Sequence, residues 1–249
     1  MISRLPVFCF PLILILCSCF GPFDPYNPDL ITGYDKENPL DPIPNSIVAY
    51  WDFNEGQGAT VDNRVSDRSD GSIQSCLWDS TGGLDSSSTL KFNGTSSYVF
   101  VRDDTTLNFG TGDFTVSFWI KPEKITGSGH MDIIRKGEEG QGFCVSLYRN
   151  RIVGLLENKT IKDTDTSIFI FDSTWHNVIL CRINSVVSLY LDNYRVQTYD
   201  YSGNISNTSP LHIGKGKSES DYYAGLIDEV KIANYGWQES ARYKEYSRK

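Results

Sequence analysis

From Ser46 onward, apolar and polar residues alternate in short runs, and clusters of Gly, Asn, Asp and Ser interrupt each run. Phe114, Val116, Phe118 and Ile120 alternate with Thr115, Ser117 and Trp119. Phe143, Val145 and Leu147 alternate with Cys144, Ser146 and Tyr148. Successive side chains of a strand point to opposite faces, so this pattern predicts half-buried antiparallel strands. Residues 175–199 predict a three-strand meander over 175–183, 186–191 and 194–199. Its turns would be Asn184-Ser185 and Asp192-Asn193, since Asn and Asp tolerate the positive φ of tight hairpins. A last strand is expected over residues 225–232. Only residues 237–246, WQESARYKEY, lack Gly and Pro and read as a helix. Many short strands with regular turns predict an all-β, two-sheet antiparallel sandwich of jelly-roll type with a short C-terminal helix. An aromatic content of 13% favours strands. At 39% hydrophobic the body is too apolar for a disordered chain, and residues 46–249 suffice for one large core. No repeat and no second folded domain are marked.

The first residues read as an address. Arg4 precedes an apolar run from Leu5 to Leu16, shorter than the ~20 residues that cross a hydrocarbon core of about 30 Å. It has the shape of a secretory signal, and its end, Leu16-Cys17-Ser18-Cys19, is similar to the bacterial lipobox. That similarity implies a signal peptide over residues 1–18, cleavage after Ser18 and lipid on Cys19, giving an exported, lipid-anchored protein of the bacterial cell envelope at the outer membrane or cell surface. Acyl chains contribute about 0.8 kcal/mol per buried CH₂, and more than one chain makes anchoring stable. Residues 19–45 then read as a tether. They hold Pro22, Pro25, Pro28, Pro39, Pro42 and Pro44, six of the ten prolines, and X-Pro steps favour extended backbone.

Charge and motifs exclude several functions. The formal net charge is −8 with no Lys/Arg block, which argues against nucleic acid as a partner. No Gly-x-Ser-x-Gly elbow and no His-Glu-x-x-His occur among the three histidines His130, His176 and His212. His176, at a strand start, suits a structural or exposed role. Gly214-Lys215-Gly216-Lys217-Ser218 lacks the first Gly of a phosphate loop, which would fall at Leu211, and no helix follows. Asp163 and Asp165 are two apart but lie in a polar stretch that reads as a solvated loop. No nucleophile–base set can be assembled, so a non-enzyme is expected. If Cys19 is lipidated, Cys76, Cys144 and Cys181 remain. Cys144 and Cys181 could pair across strands, or all three could be small buried hydrophobes.

The order of motifs resembles the laminin-G-like jelly roll of the concanavalin A-like lectin/glucanase superfamily. Val48-Ala49-Tyr50-Trp51-Asp52-Phe53-Asn54-Glu55-Gly56 is similar to its opening strand and acidic-Gly turn. Leu90-Lys91-Phe92-Asn93-Gly94 leading to Tyr98-Val99 matches a hairpin, residues 114–122 a central strand, and Trp175-His176-Asn177-Val178 with residues 189–193 the meander. Residues 225–232, GLIDEVKI, match the closing strand. The chain departs at residues 62–71, where Asn63-Arg64-Val65 replaces a Ser-Ser-Gly portion. The Glu-x-Asp-x-x-Glu run of the superfamily's glucanases is absent.

The resemblance implies one structural Ca²⁺ carried by Asp62 and Asp228, with Asp67 as a further ligand. Calcium needs six to eight oxygens, so more donors are required; alternatively Asp62 caps a turn and Asp228 pairs with a base. It also implies a lectin-type site, in which exposed rings cover the apolar faces of a sugar. Trp78, Tyr148, Tyr222 and Tyr223 are the loop and strand-end candidates. Trp51, Trp119 and Trp175 lie in strand motifs and are expected to pack. The expected function is non-catalytic binding of a glycan or glycoprotein surface by a membrane-anchored lipoprotein. The alternative is a protein–protein adhesion or envelope-assembly module with no sugar site.

Overall fold

The computed structural model describes residues 46–65, 67–123, 129–138, 141–156, 159–162, 170–218 and 220–248. The signal, the tether, Cys19, Asp163 and Asp165 lie outside these residues. Two antiparallel eight-stranded sheets form the body. The first runs β14 (Tyr194–Asp200), β13 (Val186–Leu191), β12 (His176–Ile183), β7 (Phe114–Pro122), β16 (Ala224–Ala233), β5 (Thr89–Asn93) and β4 (Leu77–Asp79). β1 (Ile47–Trp51) joins beside β5, pairing the second half of β16 while β5 pairs the first half. The second sheet runs β11 (Lys159–Lys162), β10 (Arg151–Leu156), β9 (Phe143–Tyr148), β8 (His130–Lys136), β15 (Leu211–Ile213), β6 (Tyr98–Val101), β3 (Gly71–Gln74) and β2 (Thr60–Val61). One helix, α1 (Glu239–Tyr246), ends the described chain. The two-sheet fold and the C-terminal helix follow the expectation, though the helix begins two residues later than the sequence suggests.

The meander turns have the chemistry read for them. Asn184 and Ser185 take φ of 49° and 67°, and Asp192 and Asn193 take 51° and 61°. Two successive positive φ values give the backbone twist that matches paired strands. Between the sheets, alternate residues interlock into one core. Phe114, Val116, Phe118 and Ile120 of β7 meet Met131, Val145 and Leu147 of the facing sheet within the same buried cluster.

The sequence expectation fails for β7 in one respect. The strand is buried on both faces, because Thr115, Ser117 and Trp119 are covered as well. The C-terminal segment supplies the cover. Thr115 Oγ1 donates to the Tyr235 carbonyl at 2.8 Å and accepts from the Trp237 amide at 2.9 Å. The Trp119 ring stacks on Tyr246 at 6.5 Å, and its Nε1 donates to Glu245 at 3.3 Å. A second apolar cluster of Ile47, Ile179, Cys181, Tyr190, Ala233 and Trp237 fills this outer layer.

The thiols are unpaired. Cys144 and Cys181 are both free and buried, Cys144 in the second sheet and Cys181 in the first. The disulfide alternative is thereby set aside, and both act as small core residues.

Candidate functional site

The outer face of the second sheet is organised differently from that of the first. In β6 and β15, Val99, Val101, Leu211 and Ile213 enter the core, so Tyr98, Phe100 and His212 face outward. Register places Phe100 opposite His212, His212 opposite Arg135, and Arg135 opposite Cys144. These residues therefore form a row across β6, β15, β8 and β9. His212 meets Tyr98 at 5.8 Å and Phe100 at 5.7 Å, both edge-to-face. Tyr222 tilts against Tyr98 at 6.3 Å. Lys215 Nζ lies over both phenol rings, 4.8 Å from Tyr98 and 5.7 Å from Tyr222. Burial, then the positive charge of Lys215, holds His212 below the usual imidazole value, so this ring is neutral at neutral pH. Tyr98, Phe100 and His212 are only half-buried, which leaves a partly apolar strip open to solvent.

Beside the strip the face turns polar around a cleft of about 240 Å³, lined by residues that include His130, Arg135, Glu138, Gln141, Lys217 and Asp221. Its organising group is Asp132, fully buried on β8. One carboxylate oxygen meets His130 Nε2 at 2.8 Å and Ser146 Oγ at 2.6 Å, and the other accepts from Arg135 Nε at 2.6 Å. Burial pushes this carboxyl up, but the His130 bond, the Arg135 charge and the Ser146 bond overcome it and hold the pKa below the ordinary value. The same His130–Asp132 bond raises His130. Residues 220–223 lie against β8, with Asp132 N donating to the Asp221 carbonyl at 3.0 Å. A Cβ at Gly216 would stand 2.7 Å from Asp132 Oδ2, so the approach needs glycine.

Several predicted site residues are placed elsewhere. Tyr223 is fully buried, donates to the Leu226 carbonyl at 3.1 Å and packs edge-on against Phe92 at 6.0 Å. It is a core residue, because alternation turns it inward where Tyr222 turns outward. Trp78 is half-buried on β4 of the other sheet, packs against the core, and donates Nε1 to the Gly58 carbonyl at 3.0 Å. It anchors a loop and stands apart from the aromatic strip. Tyr222 belongs to the strip but is only 4% exposed, so it supports the site from below. Tyr148 is 40% exposed at the end of β9, 6.2 Å from His130, on the same outer face. Tyr98, Phe100, His212, His130, Asp132 and Arg135 were not singled out as ligand contacts. For Tyr98, Phe100 and His212 the available signal was position, since each lies out of phase with the core residues of its own strand. In β8 the register shift between Asp132 and Ile134 removes that signal, because Arg135 shares its sequence phase with the core residues Met131 and Ile133.

The implied calcium ligands do not fit as they stand. Both oxygens of Asp228 accept backbone amides, Oδ2 from Leu84 and Oδ1 from Glu229, each at 2.9 Å. Burial pushes its carboxyl up to about 8. Asp62 is exposed, and its amide donates to Glu55 at 3.0 Å. Among the described residues no three His, Cys, Asp or Glu are grouped to hold a metal ion.

Nucleophile–base geometry is also incomplete. Ser146 donates to the same carboxylate that His130 contacts, so the histidine does not touch the hydroxyl. His176 is buried between Asp192, 2.7 Å from Nδ1, and Asp172, 3.1 Å from Nε2. Burial lowers this imidazole, but the two carboxylates raise it above the usual value. Both ring nitrogens are occupied by carboxylates, and the Thr174 hydroxyl, 3.4 Å from Nε2, bonds Asp172 instead at 2.7 Å.

A family model described as the concanavalin A-like lectin/glucanases superfamily matches residues 93–239. The chain belongs to this superfamily. The two-sheet jelly roll, the meander and the closing strand are its fold, as the motif order implied. No curated protein matches the chain. Among solved structures, the binding domain of Paraclostridial Mosquitocidal Protein 1 superposes with a TM-score of 0.68 at 17% identity, over 81% of this chain and 52% of that one. Botulinum neurotoxin type C gives 0.63 at 14% identity, over 82% and 51%. Trypanosoma rangeli sialidase gives 0.62 at 14%, over 81% and 33%. The chain thus spans about half the length of the toxin structures it matches and a third of the sialidase. At such identities the superfamily likeness is one of fold.

Proposed function

We propose that this superfamily domain recognises carbohydrate without catalysis, through the outer face of its second sheet, and that lipid on Cys19 carries it at a bacterial cell envelope. The observation that carries the reading is the half-exposed strip of Tyr98, Phe100 and His212 lying beside a cleft with hydrogen-bonding groups of both kinds. Aromatic surface suits the C–H faces of a sugar ring, while fixed polar groups select among its hydroxyls. Two of the structures it matches are a toxin binding domain and a neurotoxin whose cell entry is dependent upon interaction with two ganglioside molecules, which supports a glycan as ligand. The non-catalytic part rests on the missing nucleophile–base contact around His130 and His176. Asp62 and Asp228 lie outside the strip and the cleft, so the proposed contact surface does not itself use the implied calcium.

The test is a glycan array probed with the full chain, in calcium and in chelator. Selective binding that survives chelation and weakens at least tenfold in Phe100→Ala supports the reading. A blank array from folded protein would overturn it and turn attention to a protein partner.

A further inference from the structure

We propose that the cleft beside the aromatic strip selects acidic sugars, with Arg135 receiving the carboxylate of a uronic-acid-type residue. This rests on the carbohydrate reading above and names the ligand class for the same face.

The argument starts from how Arg135 is held. Its Nε donates to the buried Asp132 carboxylate at 2.6 Å, and this is the side chain's hydrogen bond within the fold. Asp132 is in turn fixed by His130 and Ser146, so the carboxylate cannot turn away. The guanidinium is therefore anchored at one edge, and its two terminal amino groups have no protein hydrogen-bond acceptor among the described residues. The side chain is 16% exposed and lines the cleft. An anchored guanidinium with both terminal nitrogens open is the geometry that takes a carboxylate in a two-point bond.

The neighbours narrow the ligand further. Arg135 stands opposite His212, which stands opposite Phe100, so the fork and the ring are two strand spacings apart, about 10 Å. That span suits a sugar acid held at Arg135 with its ring, or the next residue along, lying over His212 and Phe100. Glu138 and Asp221 also line the cleft. Carboxylates accept hydrogen bonds from hydroxyls and repel multiply charged anions, so the mixture favours one carboxylate among many hydroxyls over a phosphate monoester.

The experiment titrates the full chain by calorimetry with paired oligosaccharides that differ only at carbon 6. One pair is tri-galacturonate and its carboxyl-reduced trigalactose; the other is a glucuronate-terminated disaccharide and its glucose-terminated counterpart. The expected result is at least one pair in which the acid binds tenfold or more tightly than the neutral sugar. Arg135→Met should reduce that preference to less than threefold while binding of the neutral member persists. Should Arg135→Met fail to fold, Arg135→Lys decides, since it keeps the charge beside Asp132 but removes the fork; it too should lose most of the preference. Equal binding of acid and neutral sugars, or a preference retained in either folded variant, overturns the carboxylate assignment and leaves the carbohydrate reading standing. Absence of binding to both members of both pairs overturns the assignment; a blank array alongside it overturns the carbohydrate reading as well.

Discussion

The two outer faces of the sandwich are built from the same kind of strand and end in opposite states. On the first sheet, residues 235–248 lie across β7 and β12 and close the face. Glu245 binds Trp119, Lys231 and Arg248; Glu229 accepts from the Tyr50 hydroxyl at 2.7 Å and pairs with Arg248. Burial pushes Glu229 up, but Arg248 and Lys231 pull its carboxyl below the ordinary value. Glu229, Lys231, Glu245 and Arg248 there answer one another's charge within the same chain. On the second sheet, Asp132 is equally buried, yet its partner Arg135 is only partly used and the rings beside it stay half-exposed. A buried polar network that closes on itself specifies structure, whereas one that leaves oriented donors at the surface is prepared for something outside the chain.

The contrast can be broken most directly through its two central aromatic residues. Trp119 is fully buried between β7 and α1, so Trp119→Ala should cost about 3–5 kcal/mol of unfolding free energy. Phe100, half-buried on the open face, should cost about 1 kcal/mol or less when made Ala. Urea denaturation of both variants measures the difference. Equal losses would show that the second face is a structural layer too, and the binding reading would lose its basis.

Asp228 gives the next largest effect and belongs to the sealed face, opposite Trp119 in register. The backbone there is bulged, with Glu229 at a φ of 55°, and the two amides that bind Asp228 hold the bulge in place. With a folded pKa of about 8, well above the unfolded value, the native state binds more protons than the unfolded chain between about pH 4 and pH 8. Asp228 therefore contributes stability that is complete below pH 4 and is lost as pH rises towards 8, by at most about 4 kcal/mol at pH 7. Asp228→Asn cannot ionise. Its stability deficit against the natural chain should shrink as pH rises from 4 to 8, measured as the difference between two denaturation series. A deficit constant with pH would mean that the carboxyl ionises normally and that the bulge is open to water.

What the sequence disclosed follows the range of the interactions. The meander was legible because each hairpin turn is local, with Asn184-Ser185 and Asp192-Asn193 supplying the required φ within two adjacent residues. The double burial of β7 was not, because its cover comes from residues 235–246; Trp119 at a nominally polar position was the one local sign. The site was the least legible part. Phe100, His212, Arg135 and Cys144 are neighbours only through the pairing of β6, β15, β8 and β9, and no spacing along the chain links them. Tyr222 and Tyr223 show the limit well. Adjacent tyrosines look equivalent in a loop, and one residue of strand phase sends the first to the open face and the second into the core.

On the open face, the effect on binding should exceed the effect on folding. Phe100→Ala should weaken the selected glycan at least tenfold, which corresponds to about 1.4 kcal/mol. Tyr148→Ala lies at the far edge of the same face, near His130 rather than in the row with His212, and should weaken it less than threefold. Calorimetric titration of both variants checks the order. A larger loss at Tyr148 would move the ligand away from the Phe100–His212 strip and towards the hairpin between β9 and β10.

The smallest expected effect compares a thiol beneath each face. Cys144 borders the cleft on the open side, and Cys181 lies under Trp237 on the sealed side, yet each is only 1% exposed. Burial, then the nearby Asp132 charge, pushes the Cys144 thiol well above its ordinary value. Burial pushes Cys181 up to about 11, against a small pull from Arg242. Alkylation requires the thiolate, so neither should react with iodoacetamide in the native protein at pH 7.5, and both should react once denatured. Peptide mass spectrometry at the two positions measures this. Native labelling at Cys144 alone would show that the floor of the cleft opens to small molecules, which would sharpen the contrast between the faces beyond what the static packing gives. Native labelling at Cys181 would show instead that residues 235–248 lift from the first sheet, and the distinction between a sealed and an open face would fail.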